Sequence, residues 1–363
     1  MDRFNITITG RTLHFKQPAR TSRGVYTTRQ IWLVELTSPD VPGAKGIGEC
    51  APLPDLSCDA VPDYEKKLHG FCHKFAREGR IDRKAMLPYP SMLFGLETAL
   101  LQFNNEKKML ERGVEPDDKA VPQIFSTPFS RGKEGIPTNG LVWMGDKKEM
   151  NSRTEDKLVA GFRCIKLKIG AIDFMEELSL IKEIRNCFSS NTVELRIDAN
   201  GAFSCDEASY KLELLSLYNI HSIEQPIKPG QWEEMARLCR NSPLPVALDE
   251  ELIGINERRK KKQMLDTIMP AYLVLKPTLH GGMQGVAEWV KLADERGIGT
   301  WITSALESNV GLNATAQLAA HLYGRAIKMP QGLGTGQLFT DNIPLPLEMR
   351  GARLWAKSPE EKE

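Results

Sequence analysis

VELRIDAN (193–200), HSIEQP (221–226) and PVALDEE (245–251) each run from apolar residues into an acid, giving Asp198, Glu224 and Asp249. The acids lie 26 and 25 residues apart, about the length of one strand plus one returning helix in a (β/α)8 barrel. Consecutive barrel strands therefore present one carboxylate each at the same rim. Three converging negative charges repel one another, so the pattern calls for a hard divalent cation with oxygen ligands. Lys168 in CIKLKIG (164–170) stands 30 residues before the first acid, and Lys276 in YLVLKP (272–277) stands 27 residues after the last. Counted as consecutive units, the five positions fall on strands two to six. That sets the two lysines opposite each other across a ring of eight.

IPTNGLVWM (136–144), TWITSALES (300–308) and MPQGLGTG (329–336) bring the strand candidates to eight, with helical patterns at 173–187, 205–217, 282–296 and 309–322. The last strand runs into a tail without a helix of usual length, so residues 131–336 read as an α/β unit, a TIM-type (β/α)7β barrel. Ahead of it, residues 1–130 open with the alternating NITITGRTLHF (5–15) and QIWLVELTS (30–38), antiparallel strands by their pattern, and continue with helical patterns near 59–77 and 91–113. These make an α+β capping domain. The tail, 337–363, is expected to pack back on it and complete it.

Composition limits the partners. A chain of 363 residues with 41% hydrophobic and 26% charged residues has an ordinary globular balance. Its net charge of +1 gives no reason to expect nucleic acid or a membrane surface. The seven cysteines are odd in number and lack metal-type spacing, so they read as reduced thiols. No apolar run reaches the roughly 18 residues of a membrane span, and the opening residues carry no secretory signal, so the cytoplasm is the expected location. The pattern leaves oligomeric state open. The basic run 258–262 reads as a solvated helix face. Gly332, Gly334 and Gly336 lack the setting of a dinucleotide fingerprint, and suit close approach of backbone to a ligand at the rim.

Strand alternation places Lys166 on the same face as Lys168, one pleat deeper. A lysine base must be drawn from near 10.4 toward about 7 to 8, and a second ammonium helps. Arg196, Asp198 and Asn200 share a face. Asn200 either orients a ligand or caps the following turn, and Arg196, deeper, is expected to balance the buried acids. Asp249 and Glu250 are adjacent and point to opposite sides. The metal is assigned to Asp249, with Glu250 supporting it from behind. Ser304 and Glu307, at the end of strand seven, are candidate substrate contacts. None of the six histidines ends a strand in this series, and His280, in the loop after Lys276, comes nearest.

These residues resemble the enolase superfamily, and within it the muconate-lactonising branch. The resemblance rests on K-x-K at Lys166 and Lys168, D-x-N at Asp198 and Asn200, Glu224 in IEQP, the Asp249 and Glu250 pair, and Lys276 before a proline. GIGECAPLP (46–54) is similar to the cap-domain loop that closes over such sites. The resemblance implies Mg2+, with Mn2+ as a substitute, on Asp198, Glu224 and Asp249, and a small-molecule carboxylate substrate. It also implies Lys168 as the base that takes the proton α to that carboxylate to give an ene-diolate, with Lys276 charged on the other face. The branch carries dehydration to o-succinylbenzoate in menaquinone biosynthesis, muconate cycloisomerisation, dipeptide epimerisation and N-acylamino acid racemisation. GLGTGQ (332–337) has no acid to hold a substrate ammonium, unlike the D-x-D of dipeptide epimerases, and Lys276 stands where mandelate-type members use histidine. Arg23 and Arg29 in TSRGVYTTRQ (21–30) suit an anionic, partly aromatic ligand. Dehydration to o-succinylbenzoate is therefore the expected reaction. The other activities remain alternatives, as does a non-catalytic ligand-binding barrel, which would gain nothing from two opposed lysines.

Overall fold

The structure, a computed structural model, describes residues 3–21, 24–117, 119–324 and 327–357. β1 (Asn5–Thr21), β2 (Gly24–Thr37) and β3 (Lys45–Cys50) form an antiparallel sheet in that order. α1 (Tyr64–Glu78), the short α2 (Arg83–Met86) and α3 (Pro90–Leu110) follow. Val34 and Leu36 of β2 pack with Leu68, Phe75, Leu96 and Phe103 of the helices in one apolar core. β3 lies so close to α3 that a Cβ on Gly46 or Gly48 would collide with the carbonyls of Ala99 and Gly95. The first glycines of GIGECAPLP thus serve a strand-to-helix contact rather than a loop.

The chain continues through β4 (Ile136–Pro137), β5 (Gly140–Val142), α4 (Lys147–Val159), β6 (Cys164–Lys168), α5 (Phe174–Cys187), β7 (Glu194–Asp198), α6 (Cys205–Ser216) and β8 (Ser222–Glu224). It goes on through α7 (Trp232–Asn241), β9 (Val246–Leu248), α8 (Arg258–Ile268), β10 (Tyr272–Leu275), α9 (Gly282–Asp294), β11 (Gly299–Ile302) and α10 (Asn309–Tyr323). β5 to β11 make one curled sheet in chain order, and every pair in it is parallel. The eighth stave shrinks to Gln331 and Gly332, which bridge Thr138 on one side and Thr303 on the other. Four backbone hydrogen bonds of 2.8–2.9 Å close the ring there. Pro330, just before, has no N–H to extend the ladder. A Cβ on Gly332 would collide with the Thr303 side chain, so that glycine is needed for barrel closure itself.

Sequence stops set where the rim loops end. Asp146 with Glu149 and Ser204 with Glu207 form capping boxes on α4 and α6, while Asp173 and Ser308 cap α5 and α10. The basic run on α8 is not wholly solvated. Lys261 shares a helix face with Met264, Leu265 and Ile268, and is buried with its ammonium 5.0 Å from the Trp289 ring centroid and 2.9 Å from the Gly285 carbonyl. The tail divides. Lys16 N–H donates to Leu338 O and Thr340 N–H to His14 O, at 2.8 and 2.9 Å, which joins it to β1. β12 (Leu347–Arg350) and β13 (Arg353–Ala356) then form a hairpin that pairs with β4 instead. All seven cysteines are unpaired, and among the described residues no helix is long and apolar enough to cross a membrane.

Two buried charges stitch the N-terminal sheet to the barrel. Arg29 on β2 donates to the carbonyls of Ala51, Pro52 and Leu306, so it anchors the segment after β3 to the loop after β11 and does not face a ligand. Glu49 on β3 accepts from Ser308 N–H and Gly311 N–H at the start of α10, both at 2.9 Å. Burial pushes the Glu49 carboxyl up to about 6, against the opposing pull of those hydrogen bonds. A raised carboxyl contributes stability that is fully present below its unfolded value of 4.5 and is lost as pH rises through about 6. The loss amounts to about 2 kcal/mol. Glu49→Gln should therefore remove that part of the slope. In denaturant melts at pH 4.5 and 7, an unchanged difference between variant and wild type would refute the assignment.

Candidate active site

Register sets the site. Lys168 pairs with Asp198 across β6 and β7, and Asp198 with Glu224 across β7 and β8. Glu224 pairs with Ala247 of β9, which puts Asp249 two residues further on. After Asp198 and Glu224 the chain turns sharply through Asn200 and Gln225, at φ of 45° and 41°, in the left-handed region that asparagine tolerates best among non-glycine residues. Gln225 was not singled out from sequence. Its buried amide donates to Ile227 O at 3.0 Å and accepts from the N–H groups of Asp249 and Glu251 at 3.3 and 3.1 Å. It fixes the ends of β8 and β9 to each other.

A cavity of about 520 Å3 opens above these strand ends. Lys166, Lys168, Asp198, Asn200, Glu250 and Lys276 line it, together with Leu53, Pro54 and Leu56 from the N-terminal unit. Lys168 Nζ lies 2.9 Å from Asp198 Oδ2 and 2.8 Å from Asn200 Oδ1, and 5.9 Å from the centroid of the Trp143 ring. Lys166 Nζ bridges Asp198 Oδ2 at 2.9 Å and Glu224 Oε2 at 2.6 Å. Lys276 Nζ pairs with Asp249 Oδ2. Asn200 both accepts from Lys168 and donates to Glu250 Oε1 at 3.0 Å.

The acids do not form a ready metal cage. Among the described residues no three His, Cys, Asp or Glu side chains converge as one, because the ammonium groups of Lys166 and Lys276 stand against the carboxylates. Two carboxylate oxygens buried beside them, Glu224 Oε1 and Asp249 Oδ1, have no hydrogen-bond partner. Such orphaned acceptors are costly unless something binds them. Oxygen donors of this kind suit a hard cation.

The charges hold one another in place. Burial drives the Lys166 ammonium toward neutrality, yet Asp198, Glu224 and Asp249 together keep its pKa above the ordinary lysine range. Burial likewise opposes ionisation of Asp198 and Asp249, but Lys166 and Lys168 hold the first, and Lys276 the second, below the usual carboxylate range. Glu224 goes the other way, pushed well up by burial and by the charge of Asp198. Lys276 stays above the ordinary lysine value because Asp249, Glu250 and Glu224 overcome its burial.

His280 is nearer to this chemistry than its loop position suggests. Lys276 N–H donates to its Nδ1 at 3.0 Å, so the neutral ring carries its proton on Nε2. That atom is buried without a hydrogen bond and lies 4.0 Å from Asp249 Oδ1. Burial lowers its pKa to about 3, so the ring is neutral at any working pH.

Other expected contacts fall elsewhere. Ser304 lines the cavity, accepts from Thr335 Oγ1 at 2.8 Å and donates to Glu307. Glu307 is wholly buried and accepts from Thr278 Oγ1 and Ala305 N–H, both at 2.7 Å. It is an interior brace between the loops after β10 and β11 and not a substrate contact. Arg196 does not balance the central acids. It lies on β7 one pleat below Asp198, pairs with Glu194 at 2.7 Å, donates to Pro330 O and stacks 4.5 Å from the Trp301 ring centroid. Glu250, expected in support of the metal ligands, accepts from Asn200 at the cavity wall. Arg23 lies outside the described residues.

Comparison with known proteins agrees with this geometry. Residues 149–354 match the family model described as enolase C-terminal domain-like, and residues 19–103 match that of the MenC N-terminal domain. An o-succinylbenzoate synthase of Desulfotalea psychrophila is 43% identical, over 94% of this chain and 96% of that protein. The crystal structure of MenC from the same organism superposes with a TM-score of 0.78 at 38% identity, covering 97% of this chain and 99% of that one. The L-Ala-D/L-Glu epimerase of Bacillus subtilis has a similar TM-score of 0.79 at 19% identity, with 98% and 97% covered, which speaks for the fold alone. By barrel, by cap and by near full-length identity, the chain belongs to the enolase superfamily, in the family of the o-succinylbenzoate synthases.

Proposed function

We propose that this protein dehydrates 2-succinyl-6-hydroxy-2,4-cyclohexadiene-1-carboxylate to o-succinylbenzoate, a hydro-lyase step of menaquinone biosynthesis. One observation carries the chemistry. Lys168 and Lys276, four strands apart in the ring, both face the cavity whose floor holds the buried acids. A substrate lying between them meets an amine on each side.

Asp198, Glu224 and Asp249 would hold Mg2+, with Mn2+ as substitute, and the unpartnered oxygens of Glu224 and Asp249 support that fit. When bound, the ion supplies charge that favours negative charge on the substrate carboxylate. Lys168 takes the proton from the ring carbon that bears the carboxylate. The C–O bond to the hydroxyl then breaks, and the same ammonium returns the proton to the departing oxygen on the same face, releasing water. Lys276 remains protonated on the opposite face, where its charge stabilises the electron-rich ring. Lys166 bridges Asp198 and Glu224, and with Lys168 it keeps Asp198 ionised. Asn200 holds the Lys168 ammonium in line through its 2.8 Å contact. The unpaired cysteines fit a cytoplasmic location.

The experiment is turnover of the cyclohexadiene substrate before and after chelation. Activity should vanish with a chelator and return with Mg2+ or Mn2+. Turnover that survives complete metal removal would overturn the metal assignment.

A further inference from the structure

Arg153, on α4, closes one end of the cavity and joins it to a smaller side chamber of about 210 Å3. Gln17, Trp143, Arg153, Gln337 and Leu338 line both spaces, so the two are adjoining compartments. The side chamber is lined by two cationic residues, Lys16 and Arg153, and by no acid. The guanidinium is held in place. Its Nη1 donates to Trp143 O at 3.1 Å and Met144 O at 3.0 Å. Among the described residues Nη2 meets only Glu149, at 3.8 Å, too far for a hydrogen bond. Glu149 is itself engaged, since its carboxylate accepts the Asp146 N–H at 3.1 Å in the capping box of α4. A fixed guanidinium with spare donors, facing a chamber without acids, suits a carboxylate. Trp143 links the two ends of the cavity, with its ring beneath Lys168 and its carbonyl bound by Arg153.

We propose that Arg153 is the subsite for a second carboxylate on the ligand, the terminal carboxylate of the succinyl chain, and so selects for dianionic substrates. This rests on the function proposed above. The first carboxylate belongs with Lys168 and the buried acids, and the tail needs a cation of its own away from them. A neutral acyl chain would leave the guanidinium with only the two carbonyls and the more distant Glu149.

The test uses two probes on the Mg2+-loaded protein, o-succinylbenzoate and 2-butyrylbenzoate, which differ only in the tail carboxylate. Calorimetric titration of wild type should show the succinyl ligand binding about 10- to 100-fold more tightly. In Arg153→Met that preference should fall to within about twofold, while the affinity for 2-butyrylbenzoate changes far less. An arginine that merely braces the 143–145 loop would weaken both ligands alike and leave their ratio intact, and that result would overturn the proposal. Should Arg153→Met not fold, Arg153→Lys carries the test. It keeps a cation within reach of the two carbonyls but loses the fork, so the ratio should drop severalfold, and an undiminished ratio overturns the proposal in the same way. Failure of wild type to turn over the cyclohexadiene, with the binding ratio still dependent on Arg153, would reject the reaction and leave the subsite standing.

Discussion

Asp249→Asn should lower turnover at least about 100-fold while leaving a folded protein. The two side chains are nearly isosteric, but the amide gives up the charge that Lys276 pairs with and the unpartnered oxygen that would meet the cation. Metal affinity, read by titration, should weaken with the loss of turnover, and near-ultraviolet circular dichroism should show the packed core intact. Wild-type metal affinity in this variant would remove Asp249 from the ligand set. Its position supports the assignment, because Gln225 fixes its backbone and His280 approaches its free oxygen.

The second large effect separates the roles of the two lysines. Lys168→Ala should abolish both product formation and exchange of the α-proton with solvent deuterium, since the neighbouring amine, Lys166, is held protonated one pleat deeper between Asp198 and Glu224. Lys276→Arg keeps the positive charge but changes its shape, and arginine is a poor proton donor near neutral pH because its pKa exceeds about 12. Some dehydration should survive, reduced by misplacement of the bulkier group beside Asp249. A reaction that needs a proton from Lys276 would instead stop almost completely. Equal residual activity on the cyclohexadiene and on an N-succinyl amino acid would contradict a purely electrostatic role.

The barrel and the central residues were legible because each depends on a short local rule. A strand of three to five residues ends on one polar residue at a fixed interval, and pleating says which neighbour shares its face. Asp198, Glu224, Lys168 and Lys276 needed nothing more. Arg29 did not follow from any such rule. Its acceptor at Leu306 lies 277 residues away in the chain, and an exposed arginine on a rim loop has the same local sequence as a buried one. Glu307 shows the same limit, since its oxygens are taken up by neighbours in two different loops. The burial of Lys261 did carry a signal. The helical period from Met264, Leu265 and Ile268 reaches back to that lysine and outweighs the charge of the run. The shortened eighth stave was only partly visible. The missing helix after it could be read, but the closing bonds come from Pro137, Asn139, Ile302 and Ser304, none of which is near it in sequence.

The expected outcome at this cavity is dehydration and not racemisation. Its most direct test compares kcat/KM of the Mg2+-loaded wild type for the cyclohexadiene substrate with that for an N-succinyl amino acid and a dipeptide. Dehydration should exceed both of the others by orders of magnitude, and the dipeptide, whose ammonium finds no acid in GLGTGQ (332–337), should be the poorest of the three. Efficient racemisation with little or no dehydration would contradict that expectation.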